Sequence, residues 1–344
     1  MADQNPPLKL WQVPLVPLSF LYAAAVRVRN AYYRRVPSAV RRVGVPVISV
    51  GNLTVGGTGK TPLTIELARR LRGLGHRPAI LTRGYAARVG EPADEVREFA
   101  LAIPEVPVVV GADRVAGAER ARTQHGVDCL VLDDGFQHRR LHRDLDIVVV
   151  DALEPWGGGR MLPAGRLREP LSGLRRADWF VISRANQVEP EAVAGVVATL
   201  ERYAPAAPII KAEVLPGALV DVEGRELEPA ALAGRRVLPV CGLGNPRTFV
   251  NLVVQTFGDA CPPMIYPDHH RYGPDDVEAI LAAAHRHGAD AVVTTRKDWV
   301  KLHVCWSWAV AGGAVGLYRL DVSVALADPQ NVDARLARLF EERR

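Results

Sequence analysis

The chain has no C-x-x-C pair. Its four cysteines, Cys129, Cys241, Cys261 and Cys305, are scattered. Neither a zinc site nor a disulfide framework is indicated, and buried reduced thiols of a cytosolic protein are expected. Aromatic residues make up only 6%, too few for a base-stacking platform, and no DNA- or RNA-binding motif occurs. The mild net charge of +5 therefore suits an anionic substrate or membrane surface without demanding nucleic acid. No G-x-G-x-x-G is present, because Gly242 and Gly244 stand without their third glycine. No Asn-Lys-x-Asp follows the apolar stretch 178–183; Arg184-Ala-Asn-Gln187 stands there instead, so guanine specificity is not supported. The uncharged stretch 10–26 is interrupted by Pro14 and Pro17 and falls short of the ~20 apolar residues that span a bilayer. Lysine is scarce: only Lys9, Lys60, Lys211, Lys297 and Lys301 stand among many arginines.

One of those rare lysines sits in the most informative stretch, 45–62. An apolar, β-branched run at 47–50 predicts a buried parallel strand. A glycine-rich loop follows, and then apolar residues at helical spacing over 63–71. Strand, glycine loop and helix in that order are the context of a phosphate-binding loop. Small residues let backbone N–H groups turn toward phosphate oxygens, and the helix N-terminus adds partial positive charge. The residues expected to hold the nucleotide are Thr54, Val55, Gly56, Gly57, Thr58, Gly59, Lys60 and Thr61. Lys60 would reach the β- and γ-phosphates, and the Thr61 hydroxyl would ligate Mg²⁺. The usual pattern G-x-x-x-x-G-K-[ST] has its first glycine where this chain has Thr54.

A second signal is Cys129-Leu-Val-Leu-Asp-Asp-Gly135. An apolar strand ending in Asp133-Asp134 has the form of an element whose carboxylate holds Mg²⁺, with the choice between the two aspartates open. Further strands are expected at 78–82, 106–110, 145–151 and 178–183, and helices near 94–103 and 113–124. From 205 to 235 proline and glycine cluster, and two short strand-like pieces, 209–214 and 218–222, suggest a linker or small sheet. A second α/β unit follows, with strands near 237–241, 263–266, 291–295 and 315–321 and helices near 247–256 and 274–287. Asp268-His269-His270 and Thr294-Thr-Arg-Lys-Asp298 lie at strand ends, where ligands bind in this architecture. At the N-terminus, the apolar stretch precedes Arg27, Arg29, Arg34, Arg35, Arg41 and Arg42, which predicts an interfacial anchor on anionic lipid.

These residues together resemble tetraacyldisaccharide 4′-kinase, the lipid A pathway kinase of Gram-negative bacteria. The resemblance rests on the apolar N-terminus, 50–62, Arg83-Gly-Tyr85, Asp133-Asp-Gly-Phe-Gln-His138, Leu162-Pro-Ala-Gly165, Arg168-Glu-Pro170, Pro267-Asp-His269 and Lys297-Asp298. That family also shows threonine where the general loop has its first glycine. The resemblance implies an ATP- and Mg²⁺-dependent phosphotransferase at the cytoplasmic face of the inner membrane. It would phosphorylate the 4′-hydroxyl of tetraacyldisaccharide 1-phosphate to give lipid IVA, with no obligate protein partner indicated. The implied fold is α/β: a P-loop NTPase-type parallel sheet domain and a second, smaller α/β domain, joined by a short two-stranded linker, with catalysis in the cleft. The expected divisions are a membrane-associating segment 1–35, a kinase domain 36–210, a linker 211–235 and a C-terminal domain 236–344. The implied catalytic residues are Asp94, matching the aspartate of a Gly-Asp-Glu motif with Ala93 in place of glycine, His269 as its partner, and Lys60. Arg83, Tyr85, Gln137, Arg168, Glu169, Asp268 and Lys297 are the implied substrate contacts. The alternative left by the residues is a P-loop ATPase switch, or a metallochaperone-like protein, acting on a protein partner.

Overall fold

The computed structural model describes residues 10–84, 93–309 and 315–341. In chain order the first elements are α1 (Val16–Arg35), β1 (Val47–Gly51), α2 (Lys60–Gly73), β2 (Pro78–Thr82), α3 (Asp94–Ala102), β3 (Val108–Val110), α4 (Arg114–His125), β4 (Cys129–Asp133), β5 (Leu145–Asp151), β6 (Trp179–Ser183) and α5 (Pro190–Tyr203). Then come β7 (Ile209–Val220), β8 (Glu226–Leu227), β9 (Val237–Cys241), α6 (Arg247–Phe257), β10 (Met264–Ile265), α7 (Pro274–His287), β11 (Ala291–Thr294), α8 (Arg296–Ala309), β12 (Gly316–Leu326) and α9 (Pro329–Glu341).

The chain divides into two compact units: residues 1–84, 102–214 and 324–344 form one, and residues 85–101 and 215–323 the other. The expected divisions differ from these: the N-terminal segment is not a unit of its own, and the expected linker 211–235 is divided between the two. Segment 85–101, carrying Asp94, groups with the C-terminal unit, and the last helix groups with the P-loop unit.

In the first unit, parallel strands run in the order β7-β6-β5-β1-β4-β2-β3. Strands β1, β2, β4, β5 and β6 are buried along their whole length, which explains their nearly unbroken apolar, β-branched sequences. Apolar side chains fill both faces: Val47, Leu81, Ala118 and Leu130 belong to one cluster, and Val148, Phe180, Val196 and Leu200 to another. Asp113 caps α4 by accepting from the backbone N–H groups of Val115 and Ala116 at 2.9 and 3.2 Å, satisfying donors that a helix start leaves open. In the second unit, β10, β9, β11 and β12 are parallel neighbours.

The region expected as two short pieces, 209–214 and 218–222, is one strand, β7. Pro216 and Gly217 suggested a break, but Gly217 provides clearance instead: a Cβ there would lie 3.2 Å from the Asp321 carbonyl of β12. Strand β12 also runs past its expected end at 321. Both strands carry the chain from one unit into the other. Cys129, Cys241 and Cys261 are buried free thiols.

Candidate functional site

The register of the first sheet sets the P-loop beside the acidic strand end. β1 lies next to β4 with Val50 opposite Asp133, so both chains leave the sheet at the same edge. Gly51 permits the close approach: a Cβ there would sit 2.5 Å from the Phe136 Cβ.

The loop's carbonyls are tied back. Arg166 donates to the Val55 carbonyl at 2.8 and 3.0 Å, Arg184 to Gly57 at 3.0 Å, and the Ser183 hydroxyl to Thr58 at 2.8 Å. A planar trans peptide points its C=O and the following N–H in opposite directions. The N–H groups of Gly56, Thr58 and Gly59 are therefore turned away from these anchors, as an anion-binding nest requires. Gly56 and Gly59 have φ of 117° and 88°, where a side chain is strained. A Cβ on Gly56 would also run into the Arg166 guanidinium.

Asn52, wholly buried, organises the interior of this cluster. Its amide donates to the Thr58 hydroxyl at 2.8 Å and to that of Thr54 at 3.4 Å. Its carbonyl oxygen accepts from Lys60 at 3.3 Å and from Arg168. Asp134 accepts two bonds of 2.7 Å from Arg168 and lies 3.6 Å from the Lys60 ammonium. Burial opposes its ionisation, but Lys60 and Arg168 outweigh burial and hold the carboxyl far below the usual carboxylate range. Asp133 is buried, and Thr64 donates to it at 3.3 Å.

A second cluster lies wholly in the other unit. Asp94 opens α3. Lys301 Nζ and His269 Nδ1 lie 3.0 and 3.2 Å from the same oxygen, Asp94 Oδ2. Lys297 Nζ is 2.7 Å from Asp268 Oδ1 and 3.4 Å from His269 Nε2. Burial works to raise the Asp94 pKa, but Lys301 and His269 override it and hold the group below its ordinary value. The two lysines are one turn apart on α8, whose start is fixed by Asp298. That fully buried carboxylate accepts from Gly242 N–H at 3.0 Å, the Tyr272 hydroxyl at 3.1 Å and the Thr295 hydroxyl at 2.7 Å.

Asp134, Arg184 and His269 are the non-glycine residues with positive φ among those described, at 54°, 57° and 62°. Each belongs to one of these clusters. Such backbone costs of order 1–3 kcal/mol and persists where the surroundings enforce it, commonly at functional sites.

The family model for tetraacyldisaccharide-1-P 4′-kinase (LpxK) matches residues 11–341. The chain belongs to this family. Among relatives named tetraacyldisaccharide 4′-kinase, the protein of Halothermothrix orenii is 36% identical over 337 residues, covering 90% of this chain and 88% of its own. That of Anaeromyxobacter dehalogenans is 39% identical over 328 residues, covering 90% and 86%. A crystal structure of LpxK from Aquifex aeolicus, described as an apo form in complex with ATP, superposes with a TM-score of 0.74 at 30% identity, covering 96% of this chain and all of that one. The α/β fold is thus that of the LpxK family.

Within this member of the LpxK family, several residues expected to contact the substrate make bonds inside the protein. Glu169 is fully buried and accepts from Arg29 at 3.2 Å, Asn30 at 2.9 Å and Arg176 at 2.9 and 3.3 Å. It ties α1 to the 161–176 segment. Lys297 is likewise engaged by Asp268. Thr54 is buried and bridged to Leu167, which gives a packing reason for the absent glycine. Gln137 donates to the Asn52 carbonyl at 2.9 Å. Arg83 is exposed at the end of β2, and Tyr85 lies outside the described residues. Thr61 is half-buried in the first turn of α2. Asn52 lies in the 50–62 stretch but was given no role, and Arg166 and Ser183 were not singled out from the sequence.

Proposed function

We propose that this chain transfers the γ-phosphate of ATP to the 4′-hydroxyl of tetraacyldisaccharide 1-phosphate, giving lipid IVA. The observation that carries the reading is the pairing, in one chain, of a P-loop cluster with an aspartate–histidine pair that has a carboxylate oxygen to spare. Asp94 Oδ2 accepts from Lys301 and His269, while Oδ1 has no partner among the described residues. A simple ATP switch has no need of that second cluster.

The P-loop amides cradle the phosphates, and Lys60 meets the charge on the β- and γ-phosphates. Thr61 with Asp133 or Asp134 offers the hard oxygen donors that suit Mg²⁺. When bound, such an ion neutralises phosphate charge. Asp94 Oδ1 accepts the proton of the 4′-hydroxyl as its oxygen bonds to the γ-phosphorus. The bond from that phosphorus to the bridging oxygen breaks, and ADP departs with the electron pair. His269 holds the carboxylate in position for this transfer.

The N-terminal helix supplies a lipid-facing surface. Ser19, Ala23 and Val26 are its buried side; the Ser19 hydroxyl donates to the Met161 carbonyl at 3.0 Å. Phe20, Leu21 and Val28 remain 71%, 68% and 71% exposed, beside exposed Arg27, Arg34 and Arg35. No helix among the described residues is long and apolar enough to cross a membrane. A peripheral seat on an anionic membrane, at the cytoplasmic face of the inner membrane, fits that combination.

The test is the fate of γ-labelled ATP incubated with the protein, Mg²⁺ and tetraacyldisaccharide 1-phosphate in detergent. Label in the lipid phase is expected. Label only in orthophosphate would replace the kinase with an ATPase switch.

A further inference from the structure

Asp134 is claimed by more groups than one carboxylate can serve at once. Arg168 takes both of its oxygens at 2.7 Å, and Lys60 stands 3.6 Å from one of them. A two-point guanidinium–carboxylate pair is among the stronger and more directional contacts in proteins. Yet Asp134 also opens the loop after β4, beside the P-loop, where hard oxygen donors suit Mg²⁺. Its neighbour Asp133 is buried and accepts from Thr64 at 3.3 Å, whereas the Asp134 side chain is 40% exposed. Asp134 is thus the carboxylate that a metal arriving with a nucleotide meets first. Such an ion takes oxygen ligands at about 2.0–2.1 Å. A guanidinium still bonded to both oxygens would face it cation to cation at close quarters, where like charges repel strongly.

Only the side chain of Arg168 has to move to relieve that conflict. Its backbone is pinned: the N–H donates to the Leu53 carbonyl at 2.7 Å, and the carbonyl accepts from the Tyr22 hydroxyl at 3.2 Å. The guanidinium also donates to the side-chain oxygen of Asn52, which keeps it beside the loop. Its Nε is buried with no partner among the described residues, so the present pose leaves one donor unused.

We propose that Asp134 is the aspartate that faces the metal, and that it holds Arg168 until the metal arrives: loading with Mg²⁺ and nucleotide exchanges the guanidinium for the metal and frees Arg168 to bind a phosphoryl oxyanion. This rests on the reading of the P-loop cluster as a site for Mg²⁺ and nucleotide. A planar fork matches phosphate oxygens better than an ammonium does. Two phosphates are at hand in that reading, the γ-phosphate of ATP and the acceptor's own phosphate. Either way the arginine is offered only once the nucleotide is seated, and linkage then makes each ligand favour the other. The left-handed backbone of Asp134, with φ of 54°, is consistent with a carboxylate presented at a conformational cost.

Two measurements test the exchange, and neither needs turnover. The first follows the Arg168 guanidinium by ¹⁵N NMR, with its signals identified by their loss in Arg168→Lys. In the unliganded protein, hindered rotation is expected to keep the two Nη signals apart. Mg²⁺ with ADP should merge them, ADP in EDTA should not, and Asp134→Asn should merge them with no ligand at all. β,γ-Methylene ATP in place of ADP separates the two phosphates. Signals that part again assign Arg168 to the γ-phosphate; signals that part only when tetraacyldisaccharide 1-phosphate is added assign it to the acceptor. Signals that stay apart with Mg²⁺ and ADP or in Asp134→Asn, or that merge with ADP in EDTA, overturn the exchange, and signals that stay merged with every ligand overturn the phosphoryl role. The second is the Mg²⁺ concentration that half-saturates ADP binding, read by calorimetry. Arg168→Met should lower it about 10-fold, the factor for a site whose competent form is one-tenth populated. Arg168→Lys should fall most of the way toward Arg168→Met, because one ammonium cannot hold both oxygens. An unchanged midpoint in Arg168→Met, or Arg168→Lys behaving as wild type, overturns the exchange. If wild type binds no ADP at any Mg²⁺ concentration, the parent reading fails instead, and the unliganded Asp134→Asn spectrum still decides what holds Arg168.

Discussion

At the residue scale, Lys60 and Asp134 carry the sharpest expectations. Lys60 donates to Asn52 and lies beside Asp134 at the start of α2. Lys60→Ala is expected to reduce transfer at least about 10³-fold, the scale on which a charge that stabilises phosphoryl transfer acts, in the labelled-lipid assay. Asp134 is held below the usual carboxylate range chiefly because Lys60 and Arg168 outweigh the penalty of burial. Its folded-state pKa is thus lower than its unfolded one. The unfolded chain takes up the proton first as pH falls, so the stability this group adds is full above about pH 5 and is lost progressively on acidification. Thermal melts between pH 6 and pH 3 should show a shallower decline for Asp134→Asn than for wild type; parallel curves would contradict the assignment. Glu169 belongs here too. Removing one partner of a buried ion pair strands the others, so Glu169→Ala should cost about 3 kcal/mol in a denaturant titration while the KM for the lipid in detergent changes little. The motif marked Glu169 but not its partners: Arg29 and Asn30 lie about 140 positions away, and no local pattern ties them to it.

At the scale of elements, legibility followed burial. Strands β2 and β5 and helix α7 coincide with their expected spans because each is bounded by clear signals, such as Pro274 at the start of α7 and Gly288, with φ of 63°, at its end. Strand β7 was split in the reading because proline and glycine ordinarily punctuate strands, and the clearance Gly217 gives β12 involves a residue about a hundred positions away. The same distance effect hid the anchors of the P-loop. Arg166 comes from a distant connection and Ser183 and Arg184 from the end of β6, and no local pattern ties them to 55–58. Gly56 tests that arrangement. A side chain there meets both a φ of 117° and the Arg166 guanidinium, so Gly56→Val should release the Val55 carbonyl and raise the KM for ATP at least about 10-fold, with a stability loss of about 1–3 kcal/mol. Unchanged ATP affinity would show that the tied-back carbonyls do not shape the nest.

At the scale of the whole molecule, the chain joins a unit carrying the glycine-rich loop, a unit carrying the Asp94–His269 pair, and an exposed apolar helix face. The N-terminal segment was conspicuous in the sequence as seventeen uncharged residues followed by arginines. Its docking was not, since Ser19 and Asn30 gave no sign that one side of the helix is fastened to 161–169. The exposed side predicts that Phe20→Ser with Leu21→Ser weakens sedimentation with anionic vesicles about 10-fold or more, at roughly 1.4 kcal/mol per decade, and leaves ATP binding intact. The reading of the entire chain as a 4′-kinase is tested most directly by the position of the phosphate in its product. Phosphorus–proton correlated NMR of lipid made by the wild-type protein should show a new phosphomonoester coupled to the proton on the 4′ carbon of the distal sugar, with the original 1-phosphate unchanged. A new phosphate coupled to any other sugar proton, or orthophosphate with unmodified lipid, would contradict it.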